Sequence, residues 1–189
     1  VGAFGASPVN DDNSDQLQAA ADYALANRRI MYLPSSPDGG VYKTTREIII
    51  TNTVANQVKF GGIRGDGASK SRIIRQNQNG PVLVVRGQYW SLSDLTLGYW
   101  TNSLKTNATA SCLYLPGFQA NVNVSRIQLL NGYNGILGLP DDSGNGVFTC
   151  TFKSCLIYNN RRGIDWNSGT GNSMVNIYIG APDIPYAEF

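Results

Sequence analysis

Apolar residues in this chain recur in short alternating bursts, not in long stripes. Ile30 to Leu33, Val41 to Thr44, Glu47 to Ile50, Ser71 to Arg75 and Pro81 to Arg86 each read as a strand bounded by Gly, Asn or Pro. One segment differs. Ser14 to Asn27 is Ala-rich and sets Leu17, Ala20, Ala21, Ala24 and Leu25 on one stripe, which predicts a helix from Asp15 to Asn27 with Ser14 as N-cap and Asp15 at its positive end.

Laid under one another, the later strands repeat. Apolar residues fall at k, k+3 and k+5 in Leu92/Leu95/Leu97, Val124/Ile127/Leu129, Phe152/Cys155/Ile157 and Met174/Ile177/Ile179, at spacings of 32, 28 and 22 residues. Asn131 to Ile136 overlies Asn159 to Ile164 at the same offset of 28, so the register continues downstream. Ser93-Asp94, Ser125-Arg126, Lys153-Ser154 and Val175-Asn176 interrupt the alternation where a strand turns a corner with its apolar side still inward. Irregular β repeats of this length predict an all-β fold, a right-handed parallel β-helix in which each coil buries its interior by stacking on the next. Residues 1–189 then form one domain, with 1–40 as N-terminal cap and first strands and 41–189 as successive rungs. A solenoid end needs covering, and the helix serves at the N-terminal end. No comparable cap follows Ile179, so the chain is expected to be a fragment of a longer one or to be continued by partner chains.

Composition narrows the chemistry. Charged residues make up 15% while 21 glycines and 19 asparagines fill the polar positions, which suits turns between strands and excludes a helical bundle. No apolar run approaches 18 residues, so no helix is expected to enter a membrane. Histidine is absent, which removes imidazole bases and, with three scattered cysteines, any zinc site; no cofactor or metal is expected. Cys150 and Cys155 fall at inward positions and read as small buried apolar groups. Residues 1–27 carry four acids and no base, residues 28–86 ten bases against three acids, and residues 87–189 five against six. The bases are scattered among strands, and nucleic acid is not the expected partner.

The N-terminal run supplies a resemblance. Phe4-Gly5-Ala6, then Asp12-Asn13-Ser14 with Leu17 to Ala20, then Met31-Tyr32-Leu33-Pro34 with Gly40-Val41-Tyr42 resemble the opening of the pectate-lyase-like β-helix superfamily. Ser7-Pro8-Val9 stands where that pattern has glycines. The likeness covers residues 1–86 and continues only through the repeat. Within the superfamily the chain is most similar to bacteriophage tailspikes. This implies a homotrimer on the virion tail that binds bacterial O-antigen or capsule and depolymerises it, as a hydrolase in preference to a lyase. The alternatives are a secreted polysaccharide lyase or hydrolase and a non-catalytic carbohydrate-binding β-helix.

Polysaccharide binding calls for aromatic faces, carboxylates and, for an acidic sugar, bases. Aligning Cys112-Leu113-Tyr114, Gly135-Ile136-Leu137 and Gly163-Ile164-Asp165 as one strand places Leu113, Ile136 and Ile164 inside and Tyr114, Leu137 and Asp165 in one outward column. Asp165 lies next to Trp166 and near Arg161 and Arg162. The Pro140 to Gly146 insertion follows the same strand, so Asp141 and Asp142 are expected to overhang Asp165. These three acids are the catalytic candidates, against the bland readings of a solvated ion pair and of ordinary turn residues. Tyr114, Tyr99, Trp100, Trp166, Arg161 and Arg162 are the candidate sugar contacts. Asp94 reads as a turn former, Trp90 as core, and Arg64-Gly65-Asp66 as a tight turn.

Overall fold

A computed structural model describes residues 1–35, 40–52, 61–100, 105–167 and 169–180. The chain coils through three parallel sheets. The first rung is β1 (Ile30–Leu33), β2 (Val41–Thr44) and β3 (Ile48–Asn52), and the second is β4 (Gly61–Gly65), β5 (Arg72–Arg75) and β6 (Leu83–Gln88). The third is β7 (Trp90–Ser93), β8 (Thr96–Tyr99) and β9 (Ser111–Pro116), closed by the short β10 (Gln119–Ala120). The fourth is β11 (Asn123–Ser125), β12 (Gln128–Leu130) and β13 (Asn134–Leu139), closed by β14 (Val147–Phe148). The fifth is β15 (Thr151–Lys153), β16 (Leu156–Tyr158) and β17 (Arg162–Trp166), and the sixth is β18 (Ser173–Val175) with β19 (Tyr178–Gly180). Sheet A runs β1-β4-β7-β11-β15-β18, sheet B β2-β5-β8-β12-β16-β19, and sheet C is built on β3, β6, β9, β13 and β17. Each strand pairs with its counterpart one coil on, which is the right-handed parallel β-helix the repeat predicts.

The interior is made by matching side chains. Met31, Ile63, Leu92, Val124, Phe152 and Met174 stack through sheet A. Tyr42, Ile73, Leu97, Leu129, Ile157 and Ile179 stack through sheet B. Ile48, Leu83, Leu113, Ile136 and Ile164 stack through sheet C. At the A–B corner Leu95, Ile127 and Cys155 are buried and Ile177 packs against the same core, as the k+3 position requires. In the third to sixth rungs the turn itself is one left-handed residue: Asp94, Arg126, Ser154 and Asn176 have φ of 59°, 52°, 54° and 54°. A single left-handed residue redirects the backbone, so the next side chain points inward again.

The helix α1 (Ser14–Ala26) starts one residue earlier than predicted, and Asn13 is its N-cap. Asp12 accepts bonds from the Ser14 amide at 2.9 Å and hydroxyl at 2.6 Å, so the expected capping side chain is one of those being held. Leu17, Ala20, Ala21 and Ala24 are buried over β1, β3 and β4, closing the first rung. Residues 181–189, on which the expected missing C-terminal cap falls, lie outside the described residues. No helix among the described residues is long and apolar enough to cross a membrane.

Candidate functional site

The outward column of sheet C forms as its alternation dictates. Tyr114 pairs with Leu137 and Leu137 with Asp165, while their neighbours Leu113, Ile136 and Ile164 lie in the core. Tyr114 and Asp165 are half-buried, but Leu137, outside the core cluster, is only 7% exposed, so the column is covered at its middle and does not face solvent throughout as expected. Asp165 Oδ2 accepts a bond from Arg162 at 2.8 Å, an i,i+3 pair held by the short strand β17. Arg162 also lies 5.7 Å from the centroid of the Tyr133 ring, and Arg161 lies 5.0 Å from it. Arg161 in turn donates to the Lys105 carbonyl at 3.3 Å. Asp165, Arg162, Tyr133 and Arg161 therefore form one continuous cluster where sheet B turns into sheet C.

Tyr133 is the member that sequence reading missed. Its signal was available: at the offset of 28 it lies over Arg161, and a ring stacked under a guanidinium is an ordinary cation–π pair. Asn160 fixes this turn. The Gly132 amide donates to Asn160 Oδ1 at 2.7 Å, and Asn160 Nδ2 donates to the carbonyls of Leu129 at 2.8 Å and Tyr158 at 3.1 Å. Asn131 and Asn159, both left-handed, are joined by a 2.7 Å side-chain bond one rung apart. Trp100 occupies the same corner one rung earlier, where it is 57% exposed.

Two of the proposed aromatic contacts are elsewhere. Tyr99 lies two residues after inward Leu97, so it too points inward; it is 2% exposed and donates to the carbonyls of Gly80 at 2.6 Å and Ser111 at 3.1 Å. Trp166, two residues after inward Ile164, packs edge-on against buried Phe152 with centroids 5.4 Å apart, and it lies against Gly138. Both follow the period of two that was used to place Asp165 outside. The Tyr99 ring is closed to a sugar face, and the Trp166 ring is half-buried with Phe152 at its edge.

The three acids do not assemble. Asp141 caps its own turn, accepting from the amides of Ser143 and Asn145 at 2.9 Å each and from the Asn145 side chain at 3.1 Å and 3.2 Å. The Asn145 side chain, then its amide, hold the Asp141 carboxyl below the usual carboxylate range. Asp141 leans on Gly117, beyond β9, while Asp165 lies on the opposite side of β13 in β17. From strand spacing and rise the two are roughly 10 Å or more apart, which is outside the reach of a retaining pair and leaves no shared water. Asp142 is exposed in the same turn. Asp94 pairs with Arg126 through bonds of 2.6 Å and 2.7 Å across the A–B corner, as suits a turn former. Asp66 of the Arg64-Gly65-Asp66 turn is tied to the Tyr32 hydroxyl and, at 2.7 Å, to the Ser35 amide. Among the described residues no group of three His, Cys, Asp or Glu side chains could hold a metal. All three cysteines are buried and free; burial pushes the thiols of Cys112 and Cys150 up to about 12 and about 11, the range of inert core groups.

No family model matches the chain, and no curated protein matches it significantly. Solved structures do. The mannuronan C-5 epimerase AlgE4 A-module of Azotobacter vinelandii superposes with a TM-score of 0.62 at 17% identity, over 93% of this chain and 55% of that one. The GH87 α-1,3-glucanase catalytic unit of Streptomyces thermodiastaticus gives 0.52 at 15%, over 94% and 39%. The alginate lyase of a Paenibacillus species gives 0.51 at 14%, over 90% and 65%. What they share with this chain is the coil. The chain spans about half the length of the first of these and less of the second.

Proposed function

We propose that this chain binds polysaccharide along the flank formed by the outward face of sheet C and the B–C corner. The observation that carries the reading is the contiguous cluster Asp165–Arg162–Tyr133–Arg161, which joins an aromatic ring, two guanidiniums and a carboxylate beside the Tyr114 column. Successive coils repeat at roughly 4.8 Å, so an extended glycan lying along the B–C corner can meet Trp100, Tyr133 and Arg161 on the third, fourth and fifth rungs. The three structurally similar proteins named above are an epimerase, a glucanase and a lyase of polysaccharides, which supports the same substrate class. The separation of Asp165 from Asp141 favours binding over hydrolysis by these residues.

The test is retention of the full chain on purified capsule and O-antigen, with release of reducing ends and unsaturated-uronate absorbance followed in parallel. Binding weakened about tenfold by Tyr133→Ala and by Arg161→Gln is expected. Unaltered binding in both variants would refute the site. New chain ends from wild type, lost in Asp165→Asn, would establish cleavage and make Asp165 catalytic. The finer reading, a segment of a homotrimeric tailspike on a phage virion, rests on the resemblance of residues 1–86 to that group. Sedimentation of the full-length protein as a monomer would end it.

A further inference from the structure

A recess lies at the other end of the sheet C strands, where the chain passes into sheet A. Its volume is about 350 Å³, toward the lower end of the range for small-molecule sites. Two columns frame it. Arg28, Tyr89 and Asn121 are the left-handed corner residues of the first, third and fourth rungs, with φ of 54°, 55° and 54°. Ile30, Ser91 and Asn123 face outward from the strands of the same rungs. The second rung contributes Gly61, which pairs with Trp90 and adds no side chain to the lining, while its neighbour Gly62 lies directly against Ser91. A Cβ at Gly62 would sit 2.2 Å from the Ser91 carbonyl oxygen, so the position is closed to every larger residue. Trp90, 2% exposed, forms part of the wall.

The lining selects a chemistry. Among the described residues it holds two carboxamides, two hydroxyls (Ser91 and Tyr89) and one guanidinium, with aromatic and aliphatic walls and no carboxylate. Arg28 and Ile30 are exposed at its edge, and Arg28 forms no ion pair among the described residues. A ligand that matches must offer many hydroxyls and an apolar C–H face together, and it must lack a cationic group. We infer that this recess is a second saccharide subsite, taking a short neutral or anionic oligosaccharide along the coil axis. The three corner residues span three rung spacings, roughly 14 Å, the length of two or three sugar rings. The subsite is on a different corner from the Tyr133 cluster and does not depend on it.

The three tryptophans give a reporter for each place. Trp90 lines the recess, Trp100 is on the B–C corner, and Trp166 follows Asp165 in β17 and packs against Phe152. The full chain labelled with fluorotryptophan is titrated with cellotetraose and with tetragalacturonate while the three fluorine resonances are followed. A saturable shift of Trp90 with either tetramer is expected. It should weaken about tenfold in Ser91→Phe, which fills the hollow, and in Asn123→Ala, which leaves the exposed strand position unstrained. Arg161→Gln should leave it unchanged. A Trp90 resonance unmoved by both tetramers overturns the inference, and so does an equal response to a tetra-alanine control. Movement of Trp100 alone would keep the flank reading and sink this one, and movement of Trp90 alone would do the reverse.

Discussion

Replacing Asn160 should loosen one turn and leave the rest of the coil intact. Asn160 is 1% exposed and makes three hydrogen bonds to backbone, at 2.7 Å, 2.8 Å and 3.1 Å. In Asn160→Leu the side chain has similar volume but no polar atoms, so the buried Gly132 amide loses its acceptor while water stays excluded. An orphaned buried amide costs about 1–3 kcal/mol and each lost bond about 1 kcal/mol, so a loss of about 3 kcal/mol is expected for the turn. At 1.4 kcal/mol per decade that is about a hundredfold in local opening. Native-state hydrogen exchange reads it directly: the Gly132 amide should exchange about a hundredfold faster, while amides of α1 and the first rung keep their protection, because each coil touches only its neighbours. Asn160→Ala should cost less if a water enters and accepts from Gly132. Gly132 protection unchanged within about threefold in Asn160→Leu would refute the argument that this side chain holds the Tyr133 turn.

Phe152→Ala should cost about 3–5 kcal/mol, since the ring is fully buried between Val124, Met174 and Trp166, and urea unfolding with an unchanged slope would measure it. Gly87→Ala should impair folding, because at φ 100° its Cβ would lie 2.1 Å from the Asn52 carbonyl oxygen; soluble yield and circular dichroism check it. Stability should fall on acidification. Burial raises Asp12, but bonds from Ser14 and Thr45 outweigh it and hold the carboxyl below its ordinary value, while Arg126 does the same for Asp94. A carboxyl depressed in the folded state stabilises it above the unfolded value near about 3.9, and that contribution is lost as pH falls through the folded value. Asp12→Asn should therefore flatten the decline of melting temperature below about pH 4, and an unchanged slope would contradict it.

The architecture could be read from the chain because its determinant is local and repeated. Leu95, Ile127, Cys155 and Ile177 recur at one offset from their strands, and Asp94, Arg126, Ser154 and Asn176 mark the corner in the third to sixth rungs. Alternation also placed Asp165 outward beside Tyr114 and Leu137. The same rule, applied two residues further along, turns Tyr99 and Trp166 inward, and proximity in sequence to a loop or an acid had obscured it. Asp141 was harder. Whether an insertion folds over the strand before it or toward the rung on its other side depends on contacts such as Asp141 with Gly117, which no periodicity encodes. Tyr133 and the recess beside Gly61 are properties of stacking: each needs a residue on one coil to be compared with those on the coils beside it.

From the third rung on, the corner between sheets A and B is made by a single residue, while the stretch of chain per coil varies from 32 to 28 to 22 residues. Length is thus added or removed in the connections at the other end of each coil without disturbing the ladder. Such a molecule separates its architecture from its vocabulary: connections such as 140–146 can be exchanged to meet a new surface while the stacked interior is inherited unchanged.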